Sequence, residues 1–301
     1  MTPGDRLHEA ALGRLAAQWT ALGGQLDGPA ETAVVDLEAL LAATARLAMH
    51  EPRLAEVALA WSIRHGTAVN GGRLRTVAAE LDATVEVAGL ATAVRDAGGP
   101  PWPLAGAARA TITAGAWGTI ETRSGLVVVR DLAAPARLLW RLRAGFGVNA
   151  RADVLATLLA TLAPLSVADL AMRTRFGKRT VAGAIADMAL AGLADVERTG
   201  NADRVRLAEG TPLRSWLPAP AASARDEVSR WRCVMAALDL DERIQGAPDT
   251  VRAVEGRAAA DALRSALTAG DLPKPDTTVL GLAFAAEVNV WLDALAAEVA
   301  R

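Results

Sequence analysis

The sequence predicts a mainly α-helical protein whose few β-strands form short hairpins. Leucine, valine and tryptophan recur at spacings of three to five over most of the 301 residues, which is the period of an amphipathic helix. Glycine follows several of these stretches, as expected at the C-terminus of a helix. Strand-forming residues lie beside turn signals in two places, 118–130 and 193–207. We therefore expect helical regions on both sides of a small β-containing centre.

The N-terminal third, residues 1–99, is predicted to be an all-helical domain. Five stretches have the helical period: 5–22, 31–49, 52–65, 73–81 and 84–96. Trp19 and Trp61 each lie on the apolar stripe of their helix, so we expect both in the core of this domain.

Residues 100–135 are predicted to be a linker. Pro100, Pro101 and Pro103 interrupt the helical pattern and form the clearest break in the chain. Beyond them, β-branched residues flank the turn signal Ser124-Gly125, so we predict a short hairpin over 118–130.

Residues 136–212 have a different order of elements. A helix over 150–162 precedes Pro164, and Ser166 with Asp169 three residues later forms a capping-box pattern that begins a short helix. A basic turn over 173–179 leads into a helix over 178–191. Two short strands within 193–207 then flank the turn signal Thr199-Gly200-Asn201. Helix, short helix, turn, helix and hairpin is the order of a winged helix-turn-helix.

The segment from Asn149 to Leu207 resembles the winged-helix module of the MarR- and ArsR-like regulators of bacteria. The matching features are Ala-Asp-Leu-Ala in its second helix, the basic turn, Val181 in its third helix, and Ala191-Gly192-Leu193 before the hairpin. The resemblance covers about a fifth of the chain. It implies a transcriptional regulator that binds double-stranded DNA, with the helix over 178–191 in the major groove and the hairpin over 193–207 as the wing.

The charge distribution favours a polyanionic partner for this module. The whole chain has a net charge of -2, whereas residues 141–210 contain ten bases and seven acids, a net charge of +3. Eight residues are candidate DNA contacts: Arg173, Arg175, Lys178, Arg179, Thr180, Arg198, Asn201 and Arg204. The first two precede the recognition helix and are expected to clamp phosphates, the next three begin that helix, and the last three belong to the wing.

Other residues of the recognition helix favour a different function. Its outer face is expected to carry Ala182, Gly183, Ala186 and Asp187, which offer few hydrogen bonds to bases, and Asp187 repels phosphate. Winged helices also bind proteins. An antitoxin-like or scaffold protein that binds a partner protein is therefore the alternative function.

Residues 213–301 are predicted to be a second helical domain. The helical period covers 222–238, 251–269 and 277–300. The last of these has an apolar stripe that includes Leu280, Phe284, Val288 and Trp291. Such a stripe more often lies in a core, but regulators of this kind read two half-sites as dimers, so we expect a homodimer in which this helix takes part.

The sequence predicts neither catalysis nor a cofactor. The single cysteine, Cys233, excludes a disulfide framework, and the three histidines lack metal-ligand spacing. A carboxylate site at Asp239 and Asp241 is the one catalytic alternative. The N-terminus does not resemble a secretory signal, and no apolar run reaches the roughly 20 residues that span a bilayer. We therefore expect a cytoplasmic protein with no enzymatic activity, no metal and no membrane association.

Overall fold

The computed structural model describes residues 1–47, 51–104, 117–120, 122–123, 125–199, 202–217 and 226–301. These residues are mainly helical, with twelve α-helices and one three-stranded antiparallel sheet, which confirms the predicted fold class. The chain divides into two compact units. The smaller unit combines Met1–Ala17 with Arg225–Arg301, and the larger unit is Gln18–Ala224. In this division the start of the chain belongs with its C-terminal helices, and the four predicted domain ranges stay a prediction.

Five helices form the first part of the chain: α1 (Pro3–Ala21), α2 (Leu37–Leu47), α3 (Pro52–His65), α4 (Gly71–Glu80) and α5 (Thr84–Asp96). The last turn of α1 belongs to the larger unit, where Trp19 and Trp61 are fully buried and their ring centroids lie 5.7 Å apart. Trp19 also donates from Nε1 to Thr44 Oγ1 over 2.9 Å. The two tryptophans are core residues, as predicted.

The proline-rich segment packs against the N-terminal helices. Trp102 is buried and donates from Nε1 to the carbonyl oxygen of Gly66 over 3.0 Å. A Cβ atom on Gly71 would lie only 2.4 Å from Cδ of Pro103, so the glycine permits this close approach. Residues 100–104 therefore pack against the segment that joins α3 to α4.

The hairpin predicted over 118–130 does not form among the described residues of that segment. Trp117 and Gly118 lie in a helical turn, and Val127 pairs with Gly24 in an isolated antiparallel bridge. A Cβ atom on Gly23 would lie 2.6 Å from the carbonyl oxygen of Val128, so the Gly23-Gly24 pair leaves space for this strand-like segment. Val127 therefore pairs with a residue far away in the sequence, whereas the predicted hairpin would have paired residues within 118–130.

The module predicted over 136–212 contains α6 (Leu138–Phe146), α7 (Ala150–Ala160), β1 (Leu165–Ser166), α8 (Val167–Thr174), α9 (Lys178–Leu190), β2 (Ala194–Thr199) and β3 (Ala202–Leu207). The strand order is β1-β3-β2, and Val205 of β3 pairs with both Leu165 and Val196. Ser166 and Asp169 form the predicted capping box at the start of α8. Buried apolar residues from α7, α8, α9 and β3 fill the space beneath the sheet: Leu155, Leu170, Val181, Ile185 and Val205.

The C-terminal helices are α10 (Glu227–Ile244), α11 (Asp249–Ala269) and α12 (Phe284–Val299). Phe284, Val288 and Trp291 are buried within the smaller unit, whereas Leu280 is 76% exposed. Three of the four residues named for this stripe are therefore core, and the part of the last helix in a homodimer stays a prediction. Cys233 of α10 is also fully buried, and burial raises the pKa of its thiol to about 12.

No helix within the described ranges combines the length and the apolar content needed to cross a lipid bilayer.

Candidate nucleic-acid interface

The N-terminus of α9 presents basic side chains to solvent. Lys178, Arg179 and Thr180 are all exposed, and the first turn contains no acidic residue. In the part of the chain that the structure describes, neither Lys178 nor Arg179 forms an ion pair with a carboxylate. The N-cap is Gly177, so no N-cap side chain accepts hydrogen bonds from the N–H groups of this turn. Positive side chains and the positive end of the helix dipole coincide here.

The remaining outer face of α9 carries small side chains and little net charge. Ala182, Gly183 and Ala186 are exposed, as predicted from the sequence. Asp187 is also exposed, but Arg151 of α7 contacts its Oδ2 with Nη2 at 2.6 Å and with Nε at 2.9 Å. The repulsion between Asp187 and phosphate that the sequence predicted is therefore largely offset by a neighbouring guanidinium.

Arg175 is not placed as a phosphate clamp. It follows α8 in the left-handed conformation, with φ of 59°, and its side chain is only 7% exposed. Its Nε lies 3.0 Å from Oε2 of Glu80 on α4, and its Nη1 donates to the carbonyl oxygen of Met172. The guanidinium is therefore engaged inside the larger unit. Arg173, the other predicted clamp, is half-buried on the last turn of α8.

Most of the positive charge on the β2–β3 hairpin is paired with carboxylates of the hairpin and of α8. Arg206 lies 3.0 Å from Glu197 and 3.4 Å from Asp195, and Arg204 lies 3.6 Å from Asp169. The Asp169 carboxylate is shared, because it also closes the capping box, and hydrogen bonds from Ser166 lower its pKa.

Two predicted wing contacts have different outcomes. Arg198 is exposed near the end of β2 and has no carboxylate partner among the described residues. Asn201 lies outside the described residues. Of the eight predicted contacts, the structure therefore brings together three exposed ones on α9: Lys178, Arg179 and Thr180.

Five charged residues, four of them buried and Asp36 partly buried, form a group that the sequence did not predict. We call Asp36, Glu38, Arg73, Arg143 and Asp153 the ionic cluster. Arg143 contacts Oε1 of Glu38 with Nη1 at 2.6 Å and Oδ1 of Asp153 with Nη2 at 2.7 Å. Arg73 contacts Asp36 with Nη1 at 2.7 Å and also donates from Nη1 to Glu38. Because these residues belong to α4, α6, α7 and the start of α2, the cluster connects the N-terminal helices to the module.

Burial and pairing act in opposite directions on the carboxylates of the ionic cluster. Burial raises the pKa of all three, and the two arginines lower it. For Asp153 burial dominates, so its pKa is raised, whereas for Asp36 and Glu38 the arginines dominate and the pKa is lowered. Three carboxylates face two guanidinium groups, so the fully ionised cluster has a net charge of -1.

The ionic cluster takes one base and one acid out of the charge count over 141–210, so the net charge of the remaining groups is still +3. Arg143 and Asp153 were counted as charges facing a polyanion, but both are buried and paired with each other. A signal for them exists in the sequence: Glu38 and Asp153 interrupt otherwise apolar stretches of α2 and α7. A lone acid on an apolar helix face requires a buried cation as its partner.

His65 lies in an aromatic group in the larger unit. Its ring centroid is 4.8 Å from that of Trp140 and 5.8 Å from that of Trp61, and Trp61 and Trp140 pack edge to face at 5.2 Å. Burial and the charge of Arg64 lower the pKa of this histidine. The imidazole therefore packs against both tryptophans at the end of α3.

The described residues contain no group of three or more histidine, cysteine, aspartate or glutamate side chains arranged to hold a metal ion. Asp241, one of the two acids considered for a carboxylate site, lies near Asp5 within the smaller unit. Burial, followed by the charge of Asp5, raises the pKa of Asp241.

No protein-family model matches this chain, and neither does any curated protein or any solved structure.

Proposed function

We propose that residues 150–207 form a winged helix-turn-helix that binds double-stranded DNA and that the protein is a transcriptional regulator. The order α7-β1-α8-α9-β2-β3 supports this proposal, as does the central position of β3 in the sheet. In this arrangement α9 is the recognition helix and the β2–β3 hairpin is the wing. Such a role places the protein in the cytoplasm.

One observation carries the proposal. Lys178, Arg179 and Thr180 are exposed together at the N-terminus of a 13-residue helix whose opposite face is buried in the module. A recognition helix contacts base edges with its N-terminal residues, and the major groove is wide enough to admit one helix. We assign the phosphate contact to Lys178 and base readout to Arg179, whose planar guanidinium matches the acceptors of guanine.

The small residues of α9 fit this role. Ala182, Gly183 and Ala186 have too little volume to hold the helix away from the floor of the groove. Alanine can also contact the methyl group of thymine. We therefore expect recognition by close approach and a small number of hydrogen bonds, with Arg179 and Thr180 as the specific contacts.

The test is fluorescence anisotropy with labelled DNA from upstream of the protein's own gene and with a scrambled duplex, at salt concentrations from about 50 to 200 mM. The variant is Lys178→Ala/Arg179→Ala. The control, Arg53→Ala/Arg95→Ala, removes the same charge from exposed positions on other helices of the larger unit. We expect at least about tenfold weaker binding for the first pair only, with a shallower salt dependence. Equal affinity of both double variants for the upstream DNA would overturn the proposal.

We also propose that two copies bind one operator, because half-sites read by winged helices are commonly paired. Light scattering of the protein–DNA complex gives the number of chains per duplex. A single chain on every specific duplex contradicts the dimer and leaves the DNA-binding proposal standing.

A partner protein is the second candidate, and one observation favours it. Leu190, the last residue of α9, is 91% exposed, and Met172 of α8 is 49% exposed. Large apolar side chains on a surface are common where a protein binds another protein. If the module binds a protein, Leu190→Ser weakens co-elution with the product of a neighbouring gene while Lys178→Ala/Arg179→Ala does not. The DNA-binding proposal predicts instead that Lys178→Ala/Arg179→Ala weakens DNA binding and that Leu190→Ser leaves it unchanged.

A further inference from the structure

The turn between α8 and α9 is held by α4, which lies outside the proposed DNA-binding module. Arg73 of α4 donates from Nε to the carbonyl oxygen of Thr174, the last residue of α8, over 2.7 Å. At the other end of α4, Glu80 binds Nε of Arg175 at 3.0 Å. Both ends of one helix therefore contact two consecutive residues of the turn.

Arg175 has a backbone conformation that its side chain must help to maintain. Its φ of 59° is in the left-handed region, which glycine adopts readily and residues with a Cβ atom rarely adopt. Glycine is the usual residue at this position after a helix. The contact with Glu80 and the hydrogen bond from Nη1 to the carbonyl oxygen of Met172 hold the arginine in place. Two residues later Gly177 caps α9, so the backbone at Arg175 sets the direction of the recognition helix.

The position of α4 is itself fixed by the ionic cluster. Arg73 is buried and binds Asp36 and Glu38, and Glu38 in turn binds Arg143. Arg143 of α6 binds Asp153 of α7, the first helix of the proposed DNA-binding module over 150–207. Helix α4 therefore contacts the turn directly and is also connected to α7 through Glu38 and Arg143, all within the larger unit.

We propose that Glu80 and Arg175 are positioning residues of the DNA-binding site: they fix the left-handed turn that directs α9, and Arg175 does not bind phosphate. This inference rests on the proposed function for its DNA readout. A phosphate clamp at Arg175 is the competing explanation for any loss of binding when Arg175 is replaced.

Replacement of Arg175 by glycine and by alanine separates the two explanations, because both remove the guanidinium but only glycine favours the left-handed conformation. If Arg175 positions the turn, Arg175→Ala weakens binding to the upstream DNA about tenfold while Arg175→Gly stays within about threefold of the unaltered protein. If Arg175 clamps phosphate, the two variants lose equal affinity and both reduce the salt slope by about one. Equal loss overturns the inference.

The two explanations predict opposite effects of Glu80→Ala on DNA affinity. A positioning role predicts weaker DNA binding, because the turn loses its support, and it predicts no further loss when Glu80→Ala is added to Arg175→Gly. A phosphate clamp predicts stronger binding, because Glu80→Ala frees the guanidinium and removes a negative charge. Tighter binding by Glu80→Ala overturns the inference.

Amide hydrogen exchange of the free protein tests the same inference without DNA. We expect the amides of residues 176–181 to exchange faster in Arg175→Ala and Glu80→Ala than in Arg175→Gly. If that order is observed and no variant or unaltered protein prefers the upstream DNA, the positioning of the turn stands and the proposed function fails. Identical exchange in the alanine and glycine variants overturns the positioning role itself.

Discussion

Arg73 donates a hydrogen bond to the carbonyl oxygen of Thr174 over 2.7 Å, although the two residues are 101 positions apart in the sequence. The other guanidinium nitrogens of Arg73 bind Asp36 and Glu38. One buried side chain thus joins the start of α2, the start of α4 and the end of α8. Helices α2 to α5 and the proposed DNA-binding module are therefore parts of one core, which explains why they all fall within the larger unit.

Arg73→Met should destabilise the larger unit strongly. The substitution leaves buried carboxylates without one of their two cations, and breaking a buried ion pair typically costs about 3–5 kcal/mol. We expect a decrease of this size in the free energy of unfolding, measured by urea denaturation. The matched control is Arg95→Met, because Arg95 is exposed and, among the described residues, its only ion pair is with its exposed neighbour Asp96. Its replacement should change stability by less than about 0.5 kcal/mol. Similar losses in both variants would show that the ionic cluster does not stabilise the fold.

Asp36 should make the stability of the protein depend on pH in acid. Burial by itself raises the pKa of Asp36, but the charge and hydrogen bonds of Arg73 outweigh burial and lower it to about 2. Because the pKa in the unfolded chain is about 3.9, Asp36 stabilises the fold above that pH, and this contribution is lost as the pH falls from about 4 towards 2.

The comparison that isolates this effect is Asp36→Asn, which has no proton to bind. Between about pH 4 and pH 2, we expect the free energy of unfolding to decrease by about 2 kcal/mol more in the unaltered protein than in the variant. Urea denaturation at several pH values measures the difference. Parallel pH profiles for the two proteins would contradict the assigned pKa.

Two glycines of the smaller unit should respond to alanine in opposite directions. A Cβ atom on Gly256 of α11 would lie 2.2 Å from Cγ2 of Val288 on α12, so Gly256→Ala forces the two helices apart. Overpacking of this kind costs about 1–3 kcal/mol. Gly13 of α1 has open space around its position, so Gly13→Ala should stabilise the helix by up to about 1 kcal/mol. Thermal unfolding of both variants tests these two expectations. A melting temperature for Gly256→Ala at or above that of the unaltered protein would show that stability does not depend on the close approach of α11 and α12.

The ion pair between Arg151 and Asp187 should influence DNA affinity through charge. Arg151→Ala leaves the Asp187 carboxylate unpaired on the outer face of α9, where it repels phosphate. We expect about threefold to tenfold weaker binding at low salt, and recovery of most of that loss in Arg151→Ala/Asp187→Ala. Anisotropy titrations of the two single variants and the double variant give the coupling. A double variant no better than Arg151→Ala would assign Arg151 a direct contact with DNA instead.

Local patterns were predicted correctly because their causes lie within a few residues. Ser166 and Asp169 satisfy each other's backbone groups across one helical turn, so three positions of sequence are enough to locate the start of α8. The β2–β3 hairpin follows from its turn signal in the same way, since Asp195 pairs with Arg206 across a short loop. The exposure of Lys178 and Arg179 follows from the apolar period of α9.

Long-range partners were not predictable from these patterns. Val127 lies in a strand-like run, but its partner is Gly24, and nothing near Val127 indicates that choice. Arg175 occurs in a basic turn that suggests phosphate binding, yet Glu80 lies 95 positions earlier and binds its guanidinium. Composition and spacing therefore located the helices of the module. They did not show which of its side chains are paired with residues of α2 and α4.

The ionic cluster also restricts how this sequence can change over time. Loss of Arg143 alone leaves Arg73 as the single cation of the cluster beside three carboxylates, whereas joint replacement of a buried ionic group by apolar residues of similar volume is often tolerated. Single steps away from the cluster pass through destabilised intermediates, so drift at one position is blocked until another has changed. Descendants of this chain should therefore inherit the charged residues together or exchange them together, although Glu38 and Arg143 are 105 positions apart.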